Sequence, residues 1–392
     1  MITQHKLSNI ALALTAVALT GCGGGGGNGD DDTPDPNNNA NIPEGVSIKQ
    51  IDATAGGFGA SAANPANKFT YFNLATNDVV ELTDEEATAS TDWHIAFKRT
   101  ITKLNGGVSG PGTVTGAVAD EQSAFYDEEG EANASVFLNA NADSELNALV
   151  DVTDVSTLRF GSDRNIAAIT GDGGEESWWL YNPQGHSISA GTDNWWLVRS
   201  SEGNSYAKFH VTDIVQDSRD ITLELFIQEV DQASFSSTPV TYTAALGATG
   251  GSKCYDIDSS TEVDCETASD TWDLKIEVTG RAWDIWTNGG VSGSGDGAAF
   301  GPLNTETANE YVNALSSPND VSLAGLYGSD SSGGVFADDS WYAYGVQGGN
   351  SLWPNYRVYA IDTGTEIYAL QVLSYYDESG TSGMITLRHK QL

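Results

Sequence analysis

Asn105-Gly106-Gly107-Val108-Ser109-Gly110 occurs a second time, letter for letter, as Asn288-Gly289-Gly290-Val291-Ser292-Gly293. Each copy follows a tryptophan segment: Thr91-Asp92-Trp93-His94-Ile95-Ala96-Phe97 before the first, Asp270-Thr271-Trp272-Asp273-Leu274-Lys275-Ile276 before the second. Working outward, Ser177-Trp178-Trp179-Leu180-Tyr181 is answered by Ser340-Trp341-Tyr342-Ala343-Tyr344, and both are followed within three residues by Gln-Gly. Tyr206-Ala207 matches Tyr368-Ala369, and Ile221-Thr222-Leu223 matches Ile385-Thr386-Leu387. The spacing between partners drops once after the hexapeptide and then holds nearly constant. One loop is therefore shorter in the second copy, and its counterpart is the acidic, Asn/Ala-rich stretch 120–170. Ordered matches of this kind mark tandem copies of one fold. They divide the chain into 1–21, 22–44, 45–233 and 234–392.

The copies read as strands. Trp93, Ile95 and Phe97 alternate with His94 and Ala96, Ala207, Phe209 and Val211 with Lys208 and His210, and Ile221, Leu223 and Leu225 with Thr222 and Glu224. Unit two repeats the pattern in Tyr356–Ile361 and Ile367–Tyr376. A period of two with Gly, Asn and Asp punctuation describes antiparallel sheets with one wet face, so the expected fold class is all-β. Helix signals are few and short, the best being Asn304–Leu315. Gly106-Gly107 and Gly289-Gly290 are expected to supply positive φ at a tight turn.

The 392 residues carry 54 acidic and 17 basic side chains, a net charge of −37, which argues against a nucleic-acid partner. Ten tryptophans, fifteen tyrosines and twelve phenylalanines supply a core, so the acidity is that of a folded chain. No phosphate-loop, Gly-x-Ser-x-Gly or His-Glu-x-x-His pattern is present, and no enzyme is expected.

At the N-terminus, the apolar run Ile10–Leu19 is too short for a membrane anchor and reads as a signal-peptide core. Leu19-Thr20-Gly21-Cys22 resembles the bacterial lipobox, which makes Cys22 the lipidated residue. Residues 22–44, rich in Gly, Asp and Asn, form a flexible tether. Glycine after the cysteine resembles outer-membrane sorting in Gram-negative bacteria, so the expected location is the outer membrane, lipid-anchored, on either leaflet. Cys254 and Cys265 then remain as one pair. The segment between them is symmetric about Ser259-Ser260, a hairpin centred there sets the cysteines opposite each other, and a disulfide is expected after export.

Trp-x-Ile-Ala-Phe followed by Asn-Gly-Gly-x-Ser-Gly, with Tyr368–Tyr376 and the closing Ile385-Thr386-Leu387, resembles the HmuY-like haem-binding lipoproteins. The resemblance implies two tandem antiparallel β-sandwich-like domains, haem as cofactor, and haem or a haemoprotein as partner. It also implies transfer to an outer-membrane receptor, with membrane contact only through the Cys22 lipid. Haem iron takes nitrogen or sulfur ligands on its two faces. His186 follows the turn Asn182-Pro183-Gln184-Gly185 among aromatics and is the candidate metal ligand. His210 is a second candidate on a wet strand face. Met384 reads as core packing, His94 as a satisfied surface or second-layer histidine, and His389, near the C-terminus, as solvated. Arg159, Arg164, Arg199 and Lys208 make 45–233 the better haem-binding half, because propionates need cations. The alternative is a non-enzymatic surface module whose Trp178-Trp179, Trp195-Trp196, Trp283–Trp286 and Trp353 contact a glycan or protein.

Overall fold

The computed structural model describes residues 42–392 apart from 59, 62, 63 and 129, so the signal peptide, Cys22 and most of the tether lie outside the described residues. Strands dominate, and the helices, Asp84–Ala87, Ala134–Asn139, Leu146–Val150, Thr305–Glu310 and Val335–Asp338, are all short. The chain divides into two compact units. One comprises the residues up to Arg164 together with Ser332–Leu392, the other Asn165–Ser331.

Each unit is a five-stranded antiparallel sheet facing a four-stranded one. In the first, the larger sheet runs Val46–Asp52, Ser382–Gln391, Ile367–Tyr376, Val358–Asp362, Thr115–Asp120. In the second it runs Val240–Ala245, Asp220–Gln228, Tyr206–Val215, Asn194–Arg199, Ala298–Asn304. The orders are equivalent strand for strand. In the first unit, Tyr359, Ile361, Leu370 and Leu387 of the larger sheet meet Phe72, Ile95, Phe97 and Leu104 of the smaller. In the second, Trp196, Val198, Phe209 and Leu223 meet Tyr255, Leu274, Ile276 and Ile285. These are the alternating positions of the sequence pattern, and each side chain fully buried this way contributes about 1.5–3 kcal/mol. The opposite face of the first unit's larger sheet is covered by Ser123–Phe125, Ala134–Asn139 and Leu146–Val150. Phe125 and Phe137 pack on Tyr356 and Leu373, and Leu149 packs on Val358 and Ala369.

The hexapeptide does the same work twice. The Asn105 amide donates to the carbonyls of Ser90 and Trp93 and accepts from Gly112 N–H, while Asn288 donates to Ser269 and accepts from Gly295. Gly107 and Gly290 have φ of 62° and 63°. A Cβ on them would lie 2.0 Å and 1.8 Å from the carbonyl oxygens of Asp163 and Asp330, which accept hydrogen bonds from Val108 and Val291. Glycine is required by both conformation and space. The residue after each core tryptophan is also matched in function: His94 Nδ1 accepts from Leu74 N–H, and Asp273 accepts from Ser201 and Ile257 N–H. Burial holds the His94 pKa below its ordinary value and pushes that of Asp273 up to about 7.

Several expectations change. The compact units do not coincide with 45–233 and 234–392: each combines the front part of one sequence copy with the back part of the other. The strands are those the repeat identified, and the partner copy is exchanged. The match of Tyr206-Ala207 to Tyr368-Ala369 is one residue out of register. Ala207 faces the sandwich interior and Ala369 the outer face, and a one-residue slip reverses every side chain. The Cys254–Cys265 disulfide forms, with Cα atoms 5.2 Å apart. The hairpin, however, pairs Cys254 with Val263, so Cys265 closes the bridge from beyond the strand end. The helix expected over Asn304–Leu315 stops at Glu310 after an Asn304 cap. His389 is buried rather than solvated, between the rings of Phe72 and Tyr368.

Candidate functional site

A cleft of about 900 Å³ opens in the second compact unit, within the ~300–1,000 Å³ range of small-molecule sites. Its walls are Trp179, Tyr181, His186, Ile188, Gln216, Arg219, Arg281 and Trp283, with Asp217 as an added carboxylate. The hairpin Trp179–Asn182 to Ser187–Ala190 carries four of these residues, Trp179, Tyr181 and Ile188 on its strands and His186 in its turn. Pro183 and Gly185 turn the chain, and His186 leaves the turn in the left-handed region at φ 49°. Gln216 pins it from the neighbouring turn, accepting from Ile188 N–H at 2.7 Å and donating to the His186 carbonyl at 3.3 Å. The His186 ring is exposed, with Nδ1 2.8 Å from Tyr181 Oη, which leaves Nε2 as the nitrogen able to meet a ligand.

The floor is aromatic. Trp179 Nε1 donates to the carbonyls of Gly171 and Trp283, and the two indoles lie 6.3 Å apart at 41°. Arg219 sits at φ 55° in the turn between Tyr206–Val215 and Asp220–Gln228, and Arg281 follows Gly280 in the turn before Ala282–Thr287. One guanidinium nitrogen of Arg219, Nη1, is buried without a hydrogen-bond partner.

Of the expected site residues, the structure brings only His186 into this cleft. His210 stacks on Trp195 with ring centroids 3.7 Å apart, its Nδ1 2.8 Å from the Thr192 carbonyl and its Nε2 3.6 Å from Glu224. Lys208 is buried and donates to the carbonyls of Ala308 and Tyr311, closing the end of the Thr305–Glu310 helix. Arg199 donates to the Asp296 carbonyl. Arg164 is held in a two-pronged pair by Asp338 at 2.8 Å. These groups are occupied by structural partners. Arg219 and Arg281 line the cleft instead, and no motif marks either; the visible signal is an arginine in each of two hairpin turns. The cleft also draws Ala248, Arg281 and Trp283 from beyond residue 233, so the site is built from both sequence halves.

The first unit keeps the hairpin without its histidine. Tyr342–Tyr344 pairs with Leu352–Pro354, and Tyr344 Oη donates to Asn350 Oδ1 at 3.0 Å, as Tyr181 meets His186. Its own cleft, about 720 Å³, is lined by Asp154, Asp362 and Glu366 among others and offers neither imidazole nor guanidinium. Of the tryptophans of the glycan reading, Trp178, Trp179, Trp195, Trp196, Trp283 and Trp286 are buried and Trp353 is partly buried, with Trp179 and Trp283 reaching the cleft by small exposed parts.

Residues 66–225 match the family model described as HmuY protein, and the resemblance read from the sequence is borne out over that span. A solved structure described as a lipoprotein from Bacteroides fragilis aligns at 11% identity over 89% of this chain and 93% of its own, with a TM-score of 0.30. Another, described as an HmuY-like haem-binding protein from Bacteroides vulgatus, aligns at 16% identity over 36% of this chain and 85% of its own, with a TM-score of 0.15. No curated protein matches. No helix among the described residues is long and apolar enough to cross a membrane.

Proposed function

We propose that this chain, matched to the HmuY family over 66–225, is a non-enzymatic outer-membrane lipoprotein that captures haem in the cleft of its second compact unit. The single observation carrying this reading is the meeting of an exposed imidazole, an indole floor and two guanidiniums without carboxylate partners in one cleft. Haem is flat and apolar across its face, carries two propionates on one edge, and has an iron that accepts a nitrogen ligand. The donor set fits each part. Trp179 and Trp283 line the cleft with the small exposed parts of largely buried indoles, Arg219 and Arg281 offer charge-assisted hydrogen bonds to carboxylates, and His186 offers Nε2. Tyr181, on Nδ1, orients the imidazole as partners of ligating histidines do. Cys22 supplies the lipid tether, and the bound haem passes to an outer-membrane receptor.

The lining contains one histidine, so His186 would supply the one protein nitrogen available to a haem iron there. Titrating the lipid-free mature chain with hemin tests the reading. A saturable Soret shift with a high-spin, one-nitrogen spectrum is expected, lost in His186→Ala and retained in His210→Ala. A shift that survives His186→Ala and disappears in His210→Ala would refute the site.

A further inference from the structure

Acidic side chains outnumber basic ones 54 to 17, and most cations are engaged by neighbours, although exposed Arg159 has no ion pair or hydrogen bond among the described residues. Lys49, Arg164 and Lys253 pair with Asp78, Asp338 and Glu262, and Arg199, Lys208 and Lys390 donate to backbone carbonyls. Arg219 and Arg281, from separate hairpin turns, join no ion pair and donate no hydrogen bond among the described residues, yet line the same cleft. The Arg219 guanidinium is seated by Gly250, at φ +79°, where a Cβ would come within 2.5 Å of Nη1. The backbone thus makes room for a guanidinium whose hydrogen-bonding capacity is unused. Nη1 is held against the backbone, and the other guanidinium nitrogens of Arg219 are left to meet a carboxylate in the cleft.

We infer that Arg219 and Arg281 are a carboxylate clamp that selects planar ligands bearing two carboxylates, and that this selection operates without iron. The inference rests on the haem reading for its ligand class. It adds that the charged edge of the ligand, held by two arginines against the Trp179 and Trp283 floor, carries recognition, while His186 adds iron ligation to a ligand already placed. Metal-free porphyrin diacids are therefore ligands of the same cleft.

The test uses the full mature chain, following porphyrin fluorescence and hemin absorbance. Protoporphyrin IX is expected to bind within about tenfold of hemin, and its dimethyl ester at least about tenfold more weakly than the free acid. Arg219→Gln and Arg281→Gln should each weaken binding of hemin and the diacid by about tenfold and leave the ester little changed. The ester comparison needs no variant, so misfolding of either substitution does not obscure it. An ester that binds as tightly as the acid overturns the clamp, as does hemin binding with no binding of protoporphyrin IX. Protoporphyrin binding without hemin binding would uphold the clamp and sink the haem reading.

Discussion

Replacing His389 by leucine should stabilise the protein, and more so in acid. His389 stands opposite Leu370 in the first unit's larger sheet, as Leu225 stands opposite Phe209 in the second, so it fills an interior position that the other copy gives to leucine. It is 3% exposed. Nε2 lies 3.0 Å from Asn77 Oδ1, an acceptor, which assigns the ring proton to Nε2 and leaves Nδ1 a buried acceptor without a partner. The substitution gives up one hydrogen bond of about 1 kcal/mol and removes an orphan costing about 1–3 kcal/mol, for a net gain near 1 kcal/mol at neutral pH. Burial lowers the imidazole pKa from 6.5 to about 4. The unfolded chain therefore takes up a proton that the folded one refuses, and stability falls as pH drops from about 6.5 towards 4. At about pH 5 this penalty reaches about 2 kcal/mol, which leucine abolishes. Urea unfolding of both proteins at about pH 7.5 and 5 measures it. A variant less stable than its parent at both values, or a difference that does not widen in acid, refutes the assignment.

Other consequences follow from the matched motifs. Gly290→Ala places a methyl carbon against the Asp330 carbonyl at positive φ and should cost more than about 2 kcal/mol in urea unfolding; Gly290→Ala behaving like wild type would contradict the role given to the hexapeptide. Asp273→Ala strands the buried N–H groups of Ser201 and Ile257 and should cost about 2–4 kcal/mol near pH 4. Because burial raises the Asp273 pKa to about 7, its contribution declines as pH rises from about 4 to 7, and the deficit of the variant should shrink over that range; a deficit constant with pH would be inconsistent with it.

Much of this architecture is legible in the residues. Asn-Gly-Gly announces a turn because only glycine tolerates the φ and the close carbonyl, and the alternation around Phe209 and Leu223 fixes which faces are buried, whereas Trp93 leaves the Ile95 and Phe97 cluster to pack with Tyr71 and the buried Ala96. The exchange of halves is not legible, since Ile361 and Val198 would bury the same faces whichever copy supplied the opposing sheet. His389 misleads because a histidine near the C-terminus looks solvated, while its register places it inside. His186 is readable from its turn and aromatic surroundings. Arg219 and Arg281 are not, because they converge only when the hairpins of both sequence halves fold into one unit.

The location of haem is most directly tested by paramagnetic broadening in amide NMR spectra of the full mature chain with one equivalent of hemin. Signals of Trp179–Ala190, of Gln216 to Arg219 and of Gly280 to Trp283 should vanish first, while those around Asn350 and Glu366 persist. Broadening centred on His210, or on the first compact unit, would contradict the account.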